Sequence, residues 1–302
     1  MEHRYGMVAL VGKPNVGKST LLNHMVGQKV AITSNKKQTT RRRLLGIVTR
    51  PEFQVAFVDT PGIHEPHTRL GKAMVESARG SLADLDLVVY VVNASQKPDE
   101  DERRIARTIR ESGYGGSSGK LILCMNKMDL LKAEFVVQHV EAYRDLLGVG
   151  DEDYMLTTAT KGDNVEKLLS MLVARLPEGP PAWDEDALTD QSSRFMAAEF
   201  VREKVMQRTK QEVPYATGVL VDDWIEEPGG RVKINATIVV ERVGQRAILI
   251  GKKGAMLKTI GTEARLDIER LLERPVYLEL FVKVREDWRQ NPTALREMEY
   301  ME

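Results

Sequence analysis

Two short loops in this 302-residue chain have the residue types and spacing to hold phosphate oxygens. The first, GKPNVGKS from Gly12 to Ser19, fits the pattern G-x-x-x-x-G-K-[S/T]. Its glycines allow backbone amides to curl round an oxyanion, and a helix opening at its end adds favourable potential. Lys18 can reach terminal phosphates and the Ser19 hydroxyl can ligate Mg²⁺. Lys13, Pro14, Asn15, Val16, Gly17 and Thr20 complete this cradle. The second loop, GKKG from Gly251 to Gly254, is too short to wrap a nucleotide and cannot place a lysine and a hydroxyl at a helix start.

Three further motifs follow the first loop in order. In DTPG, Asp59 can hold Mg²⁺ through water and the Gly62 amide can meet a terminal phosphate, with Thr60 and Pro61 between them. In NKMD, the Asp129 carboxylate can accept two hydrogen bonds, from guanine N1–H and the 2-amino group. Adenine lacks that donor pair, and a buried Asp129 left unpaired would cost about 1–3 kcal/mol. Asn126 is expected to contact the far side of the base and Lys127 to lie over its ring. In TTAT, the Ala159 amide is expected to reach the guanine carbonyl, flanked by Thr158 and Thr160. Four motifs in this order make a guanine-nucleotide site.

The polar segment NKKQTTRRR, Asn35 to Arg43, lies between the first two motifs. Thr40, or next Thr39, is expected to complete the Mg²⁺ shell with Ser19 and Asp59, and Lys18, Thr40 and Gly62 to act on the terminal phosphate. The run Lys36, Lys37, Arg41, Arg42 and Arg43 reads either as a solvated face or as a rest for RNA phosphates. Ile63, after DTPG, stands where a glutamine would orient water, so unaided hydrolysis should be slow. Asn15 is a candidate ligand for a monovalent cation, K⁺, that would help.

These motifs need a parallel sheet to present them on one edge. Met7–Val11, Phe53–Asp59, Leu87–Asn93, Lys120–Asn126 and Tyr154–Thr158 are apolar enough to be strands covered on both faces. Helical patterns such as Ser19–Val26 and Val165–Leu176 lie between them, which predicts an α/β domain with helices on both faces. Leu44–Thr49 is a candidate antiparallel partner for Phe53–Asp59. The stretch PEGPPAWDED from Pro177 is a linker by composition, and Gly113–Gly119 a flexible loop. The predicted division is a GTPase domain over 1–178, a linker over 179–190 and a second domain over 191–302 with a C-terminal extension.

The second domain reads as α+β. Ser193–Lys210 is an amphipathic helix, followed by strands Thr217–Trp224 and Arg231–Val240 around the turn EEPGG. In the latter strand Val232, Ile234, Ala236 and Ile238 point one way, and Lys233, Asn235 and Thr237 the other. Gly251–Gly254 falls between two helical segments, before a last strand, Val276–Val284. A G-x-x-G loop between helices is the clamp of a KH module, which grips single-stranded nucleic acid. Arg246, Lys252, Lys253 and Lys258 supply cations there, and Ile248, Ile250, Leu257 and Ile260 could wall a groove for bases. The plainer alternative is a turn between packed helices with solvated lysines. The order of elements suits a type II KH domain, with its additional elements N-terminal.

Composition limits the alternatives. Lys plus Arg equals Asp plus Glu at 44 each, so a nucleic-acid site must be a local patch. One cysteine, Cys124, excludes an internal disulfide and sits in a strand-like run, as packing. No apolar run reaches a membrane-spanning length, no signal peptide is visible, and His64 and His67 lack metal-ligand spacing. The runner-up is a GTP-gated switch that docks a protein or membrane. A GTPase allied to an RNA-modifying enzyme is disfavoured, because no other nucleophile or metal site is visible.

The segments GKPNVGKSTLLN, QTTR, DTPGIHEP, NKMD, LTDQSSRFMAAEFVREK, RAILIGKKGAMLKTIG and PVYLELFVKVREDWR give the chain its resemblance, over nearly its whole length, to the Era family of bacterial GTPases, within the TrmE-Era-EngA-like group. The resemblance implies a Ras-like P-loop domain joined to a C-terminal KH domain, and GTP/GDP and Mg²⁺ as ligands. It implies binding near the 3′ end of small-subunit (16S) ribosomal RNA, favoured with GTP, in assembly of the 30S subunit. It further implies cytoplasmic location with peripheral contact to the inner membrane, and the chain is expected to be a monomer. Thr158 stands where relatives usually carry serine, which leaves the backbone contact unchanged.

Overall fold

Alternate residues along the central strands face two different cores. The computed structural model describes residues 3–61, 69–70, 85–115 and 118–301. One sheet contains β1 (Arg4–Val11), β2 (Leu44–Arg50), β3 (Phe53–Asp59), β4 (Leu87–Asn93), β5 (Leu121–Asn126) and β6 (Tyr154–Leu156). Among them run helices α1 (Lys18–Val26), α2 (Glu100–Glu111), α3 (Val136–Leu147) and α4 (Val165–Val173). Val8, Leu10, Val89 and Val91 pack with Leu21 and Leu22 of α1 and Leu168 and Leu172 of α4. Their neighbours Ala9, Val11, Val88 and Tyr90 pack with Ile105 and Ile109 of α2 and Tyr143 and Leu147 of α3. This period of two with both faces covered produces the continuous apolar runs of the sequence.

The strand order is β2-β3-β1-β4-β5-β6, antiparallel only at β2–β3. The C-terminal ends of β1, β3 and β5 therefore share one edge, where open α/β sheets take ligands. β6 ends at Leu156, two residues short of the predicted Thr158.

The proline-rich stretch after Pro177 runs back along β2 and β3. The Gln54 side chain accepts from the Ala182 and Trp183 amides at 2.8 and 2.9 Å and donates to the Trp183 carbonyl at 2.9 Å. The Ile47 amide donates to the Leu188 carbonyl at 2.9 Å, and that of Leu45 to the Asp190 carboxylate at 2.8 Å. The chain thus stays with the first unit, comprising the described residues of Met1–Ala31, Thr40–His64 and Val75–Asp190.

The second unit comprises Ile32–Thr39, the described Arg69 and Leu70, and the chain from Gln191. Its elements are α5 (Ser193–Arg208), β7 (Gly218–Glu226), β8 (Val232–Val240), α6 (Val243–Ile250), α7 (Ala255–Leu272), β9 (Val276–Val284) and α8 (Pro292–Glu297). Ser192 caps α5, its hydroxyl accepting from the Phe195 amide at 3.2 Å. β8 lies between β7, antiparallel, and β9, parallel. A parallel pair needs a crossover, and α6, the glycine-lysine loop and α7 supply it. Val232, Ile234, Ala236 and Ile238 are buried, as their alternation predicts.

Candidate nucleotide site and nucleic-acid surface

The first loop closes around a point where only glycine fits. Gly17 has φ +107°, and a Cβ there would lie 2.2 Å from Asn126 Nδ2. No side chain caps α1, which leaves its first amides for an anion. Lys18 is buried, its Nζ donating to the carbonyls of Gly12 at 3.0 Å and Lys13 at 3.1 Å. Burial lowers its pKa, opposed by the charges of Asp59 and Glu102.

Ser19, Thr40 and Asp59 converge at the loop's end. Asp59 Oδ2 accepts from Ser19 Oγ at 2.6 Å and from Thr40 Oγ1 at 3.2 Å, and the two hydroxyls are 3.1 Å apart. Asp59 is fully buried, and its other oxygen, Oδ1, has no hydrogen-bond partner. Burial raises its pKa, against the opposing effect of Lys18, Ser19 and Thr40. A buried carboxylate oxygen without a donor, beside two hydroxyls, is a hard-oxygen set that fits Mg²⁺. Thr39 is used otherwise: its hydroxyl donates to the Lys36 carbonyl at 2.8 Å.

At the base end, Asn126 braces the walls. Its Nδ2 donates to the Val16 carbonyl at 2.8 Å, and its Oδ1 accepts from the Ala159 amide at 2.9 Å and the Thr157 hydroxyl at 3.2 Å. This side chain, expected to touch the base, also ties the phosphate loop to the loop after β6. The Ala159 amide, expected at the guanine carbonyl, is committed to Asn126 here, so a base would share that donor. Lys127 has φ +65°, and its Nζ donates to the Asn15 carbonyl at 2.6 Å, so its stem crosses the loop. Asp129 is exposed rather than buried, and a seated base must supply its desolvation. The Thr158 amide donates to the Asp163 carbonyl at 3.2 Å, closing a turn, and Thr160 is exposed. Thr60 is buried with its hydroxyl on the Leu10 carbonyl at 3.1 Å, and Pro61 is buried beside it. Gly62, Ile63, His64 and His67 lie outside the described residues, as do two residues of the loop Gly113–Gly119.

Three further residues contribute, Asp99, Thr157 and Arg265, of which Asp99 and Arg265 carry no motif in the sequence. Asp99 pairs with Lys13 at 2.6 Å and caps α2 by accepting from the Glu102 amide at 3.0 Å. The Lys13 hydrogen bond is the main cause that holds its pKa down. Thr157 contacts Cys124 Sγ at 3.3 Å, and burial pushes that thiol up to about 12. The basic run divides: Arg41 is buried, Lys36 donates to the Met206 and Thr209 carbonyls at the end of α5, and Lys37 and Arg43 are exposed.

At the second loop, Arg246, Lys252, Lys253 and Lys258 are all exposed. Gly254 has φ +79°, and a Cβ there would meet nothing within 4 Å. Glycine is therefore required by conformation, while the space above stays open to a polymer backbone. A groove of about 370 Å³ runs from Gly254 along Leu257, Lys258, Gly261, Thr262 and Arg265 of α7, facing Leu278, Glu279 and Leu280 of β9. The three- and four-residue steps are one helix face. Ile260, expected in its wall, is instead fully buried in the core, and Ile248 is half exposed. Arg265 is paired with Glu269 at 3.0 Å.

A family model described as 50S ribosome-binding GTPase matches residues 7–127, and a KH domain model matches 212–289. GTPase Era of Geobacter metallireducens is 47% identical over 98% of this chain and 98% of its own length. GTPase Era of Heliobacterium modesticaldum is 41% identical over 97% of this chain and 96% of its own. A crystal structure of Era with MgGDPNP and nucleotides 1506–1542 of 16S ribosomal RNA matches with TM-score 0.90 and 38% identity, over 99% of this chain and 100% of that one. An Aquifex aeolicus Era variant bound to GDP·AlF₄⁻ matches with TM-score 0.91, at the same identity and coverage. Identity at this level over both units, with the phosphate loop, the Ser19–Thr40–Asp59 set and the G-x-x-G groove in place, makes the chain a member of the GTPase Era family.

Proposed function

We propose that the chain binds and hydrolyses GTP with Mg²⁺, binds small-subunit ribosomal RNA near its 3′ end, and couples the two in 30S subunit assembly. The observation that carries the nucleotide reading is Asp59, buried with its Oδ2 on the Ser19 and Thr40 hydroxyls and its Oδ1 without a partner. The amides of Gly12–Ser19 and the Lys18 ammonium hold the phosphates, and Asp129 accepts from the guanine edge. Ser19, Thr40 and Asp59 would hold Mg²⁺, which would supply neutralisation of the charge on the phosphate oxygens. In-line attack by water then depends on positioning and electrostatics rather than on a strong base. With Ile63 after the DTPG motif, turnover is slow, and K⁺ near Asn15 raises it.

Single-stranded RNA lies along Gly251–Gly254 and the groove beyond, its phosphates on Arg246, Lys252, Lys253 and Lys258. Cytoplasmic location, peripheral contact with the inner membrane and a monomeric state complete the reading; they rest on the family resemblance. No helix among the described residues is long and apolar enough to cross a membrane. The test is Gly254→Asp, assayed with an RNA fragment from the 3′ end of 16S ribosomal RNA. A carboxylate in the open space above the loop should lower RNA affinity at least about tenfold, a penalty of ~1.4 kcal/mol, and leave GTP hydrolysis unchanged. Normal RNA binding by this variant would overturn the assignment of the loop.

A further inference from the structure

Thr40 touches Ser19 and Asp59 in the first unit, yet the segment leading to it, Ile32–Thr39, clusters with the second. Ile32 is buried among Phe195, Phe200, Val232 and Ile234. The Thr33 amide donates to Glu203 Oε1 at 2.7 Å, and Gln207 Nε2 donates to the Thr33 carbonyl at 3.3 Å. At the end of the segment, Arg202 Nη2 donates to the Thr39 carbonyl.

Arg202 is fully buried and held on several sides. Its Nε donates to Glu199 Oε1 at 2.7 Å, its Nη2 to Glu199 Oε2, and its Nη1 to Met206 Sδ at 3.2 Å. Tyr300, near the C-terminus, donates its hydroxyl to Glu199 Oε1 at 3.2 Å. The guanidinium is planar with donors in a fixed fork, so these partners fix the direction from which it meets Thr39. The Thr39 carbonyl and the Thr40 nitrogen and Cα lie in one rigid peptide plane. Orienting the carbonyl therefore orients Thr40. Buried ion pairs add little net stability, and geometric specification is one attested reason for a chain to carry them.

We propose that Arg202, steadied by Glu199 and Tyr300, is a positioning residue for the nucleotide site, setting through the Thr39 carbonyl the peptide plane from which Thr40 offers its hydroxyl beside Ser19 and Asp59. This rests on the reading of Thr40 as the Mg²⁺ ligand of the triphosphate state. Arg202 touches neither nucleotide nor metal. Its effect falls on the GTP-bound form, because Thr40 completes the metal shell only there, and GDP binding is spared.

The test compares equilibrium affinities of the full chain for a non-hydrolysable GTP analogue and for GDP, in Mg²⁺. Arg202→Met should weaken the analogue about tenfold and leave GDP within about twofold. Arg202→Lys, which keeps the charge and one donor, should recover part of the loss. Tyr300→Phe removes only the hydroxyl on Glu199 and should shift the ratio about two- to threefold in the same direction. Thr40→Ala separates the two levels. If it lowers the analogue-to-GDP affinity ratio while folded Arg202→Met leaves the ratio at wild type, the positioning role is wrong. If Thr40→Ala itself leaves the ratio unchanged, the metal-ligand reading falls and takes the positioning role with it. Should Arg202→Met fail to fold, Tyr300→Phe decides: an unchanged ratio overturns the proposal.

Discussion

Replacing Asn126 by alanine removes three hydrogen bonds at once, those to the Val16 carbonyl and the Ala159 amide among them. The Val16 carbonyl, the Ala159 amide and the Thr157 hydroxyl lie at 2.8, 2.9 and 3.2 Å from its side chain, in a pocket where Asn126 is 2% exposed. On the proposed assignment Val16 belongs to the phosphate loop and Ala159 to the base pocket, so two of the three losses fall on nucleotide binding. A buried polar group left without a partner costs about 1–3 kcal/mol, so these two sum to about 2–6 kcal/mol. Taking the lower end, affinity should fall about 30-fold. GDP and GTP should both be weakened, because the base and the inner phosphates that the two nucleotides share meet both walls. Titration with fluorescent GDP and with a non-hydrolysable GTP analogue measures both, and thermal unfolding establishes that the variant is folded. GDP affinity within about threefold of wild type, or a loss confined to the triphosphate, would refute the brace.

Other consequences concern ionisation and ions. The folded-state pKa of Asp59 is raised above its ordinary 3.8 by burial, so its contribution to the stability of the ligand-free chain is greatest below that value and is lost as pH rises through the raised pKa. Mg²⁺ needs the ionised carboxylate, so the rise in melting temperature produced by Mg²⁺ with GTP analogue should grow with pH over the same window. Asp59→Asn should abolish that growth; a wild-type pH dependence in this variant would be the contrary result. K⁺ should raise GTP turnover over Na⁺, and Asn15→Ala should remove the difference; equal wild-type rates in the two salts would exclude a K⁺ role. With its thiol pushed up to about 12, Cys124 should resist Ellman's reagent at pH 8, where about one thiol in 10⁴ would be ionised, and react fully in denaturant. Rapid reaction of the native chain would contradict its burial.

Local patterns carried much of this structure into the sequence. The alternation of Val232, Ile234, Ala236 and Ile238 is the inner face of β8, and the apolar runs of the first half are strands covered on both sides. The nucleotide motifs were legible because each is short, contiguous and placed at a strand end. What stayed hidden depends on contacts between residues far apart in the chain. Asn126 has the composition of a base ligand, but its ties to Val16 and Ala159, 110 and 33 positions away, leave no local signal. Ile260 was expected in the groove wall, but α7 turns it inward and exposes the face bearing Lys258 and Arg265 instead. The prolines after Pro177 marked a linker by composition, and Gln54 and the amides of β2 hold that segment to the sheet. Arg202 lay in an amphipathic helix pattern in which nothing marked it as reaching Thr39.

The central claim is that the occupant of the first loop governs RNA binding at the second. Affinity for the 3′-terminal fragment of 16S ribosomal RNA, measured on the full chain saturated with either GDP or a non-hydrolysable GTP analogue at one fixed salt concentration, tests it directly. Binding should be tighter with the analogue, and that difference should be lost in Thr40→Ala. Equal RNA affinity in the two nucleotide states would contradict it.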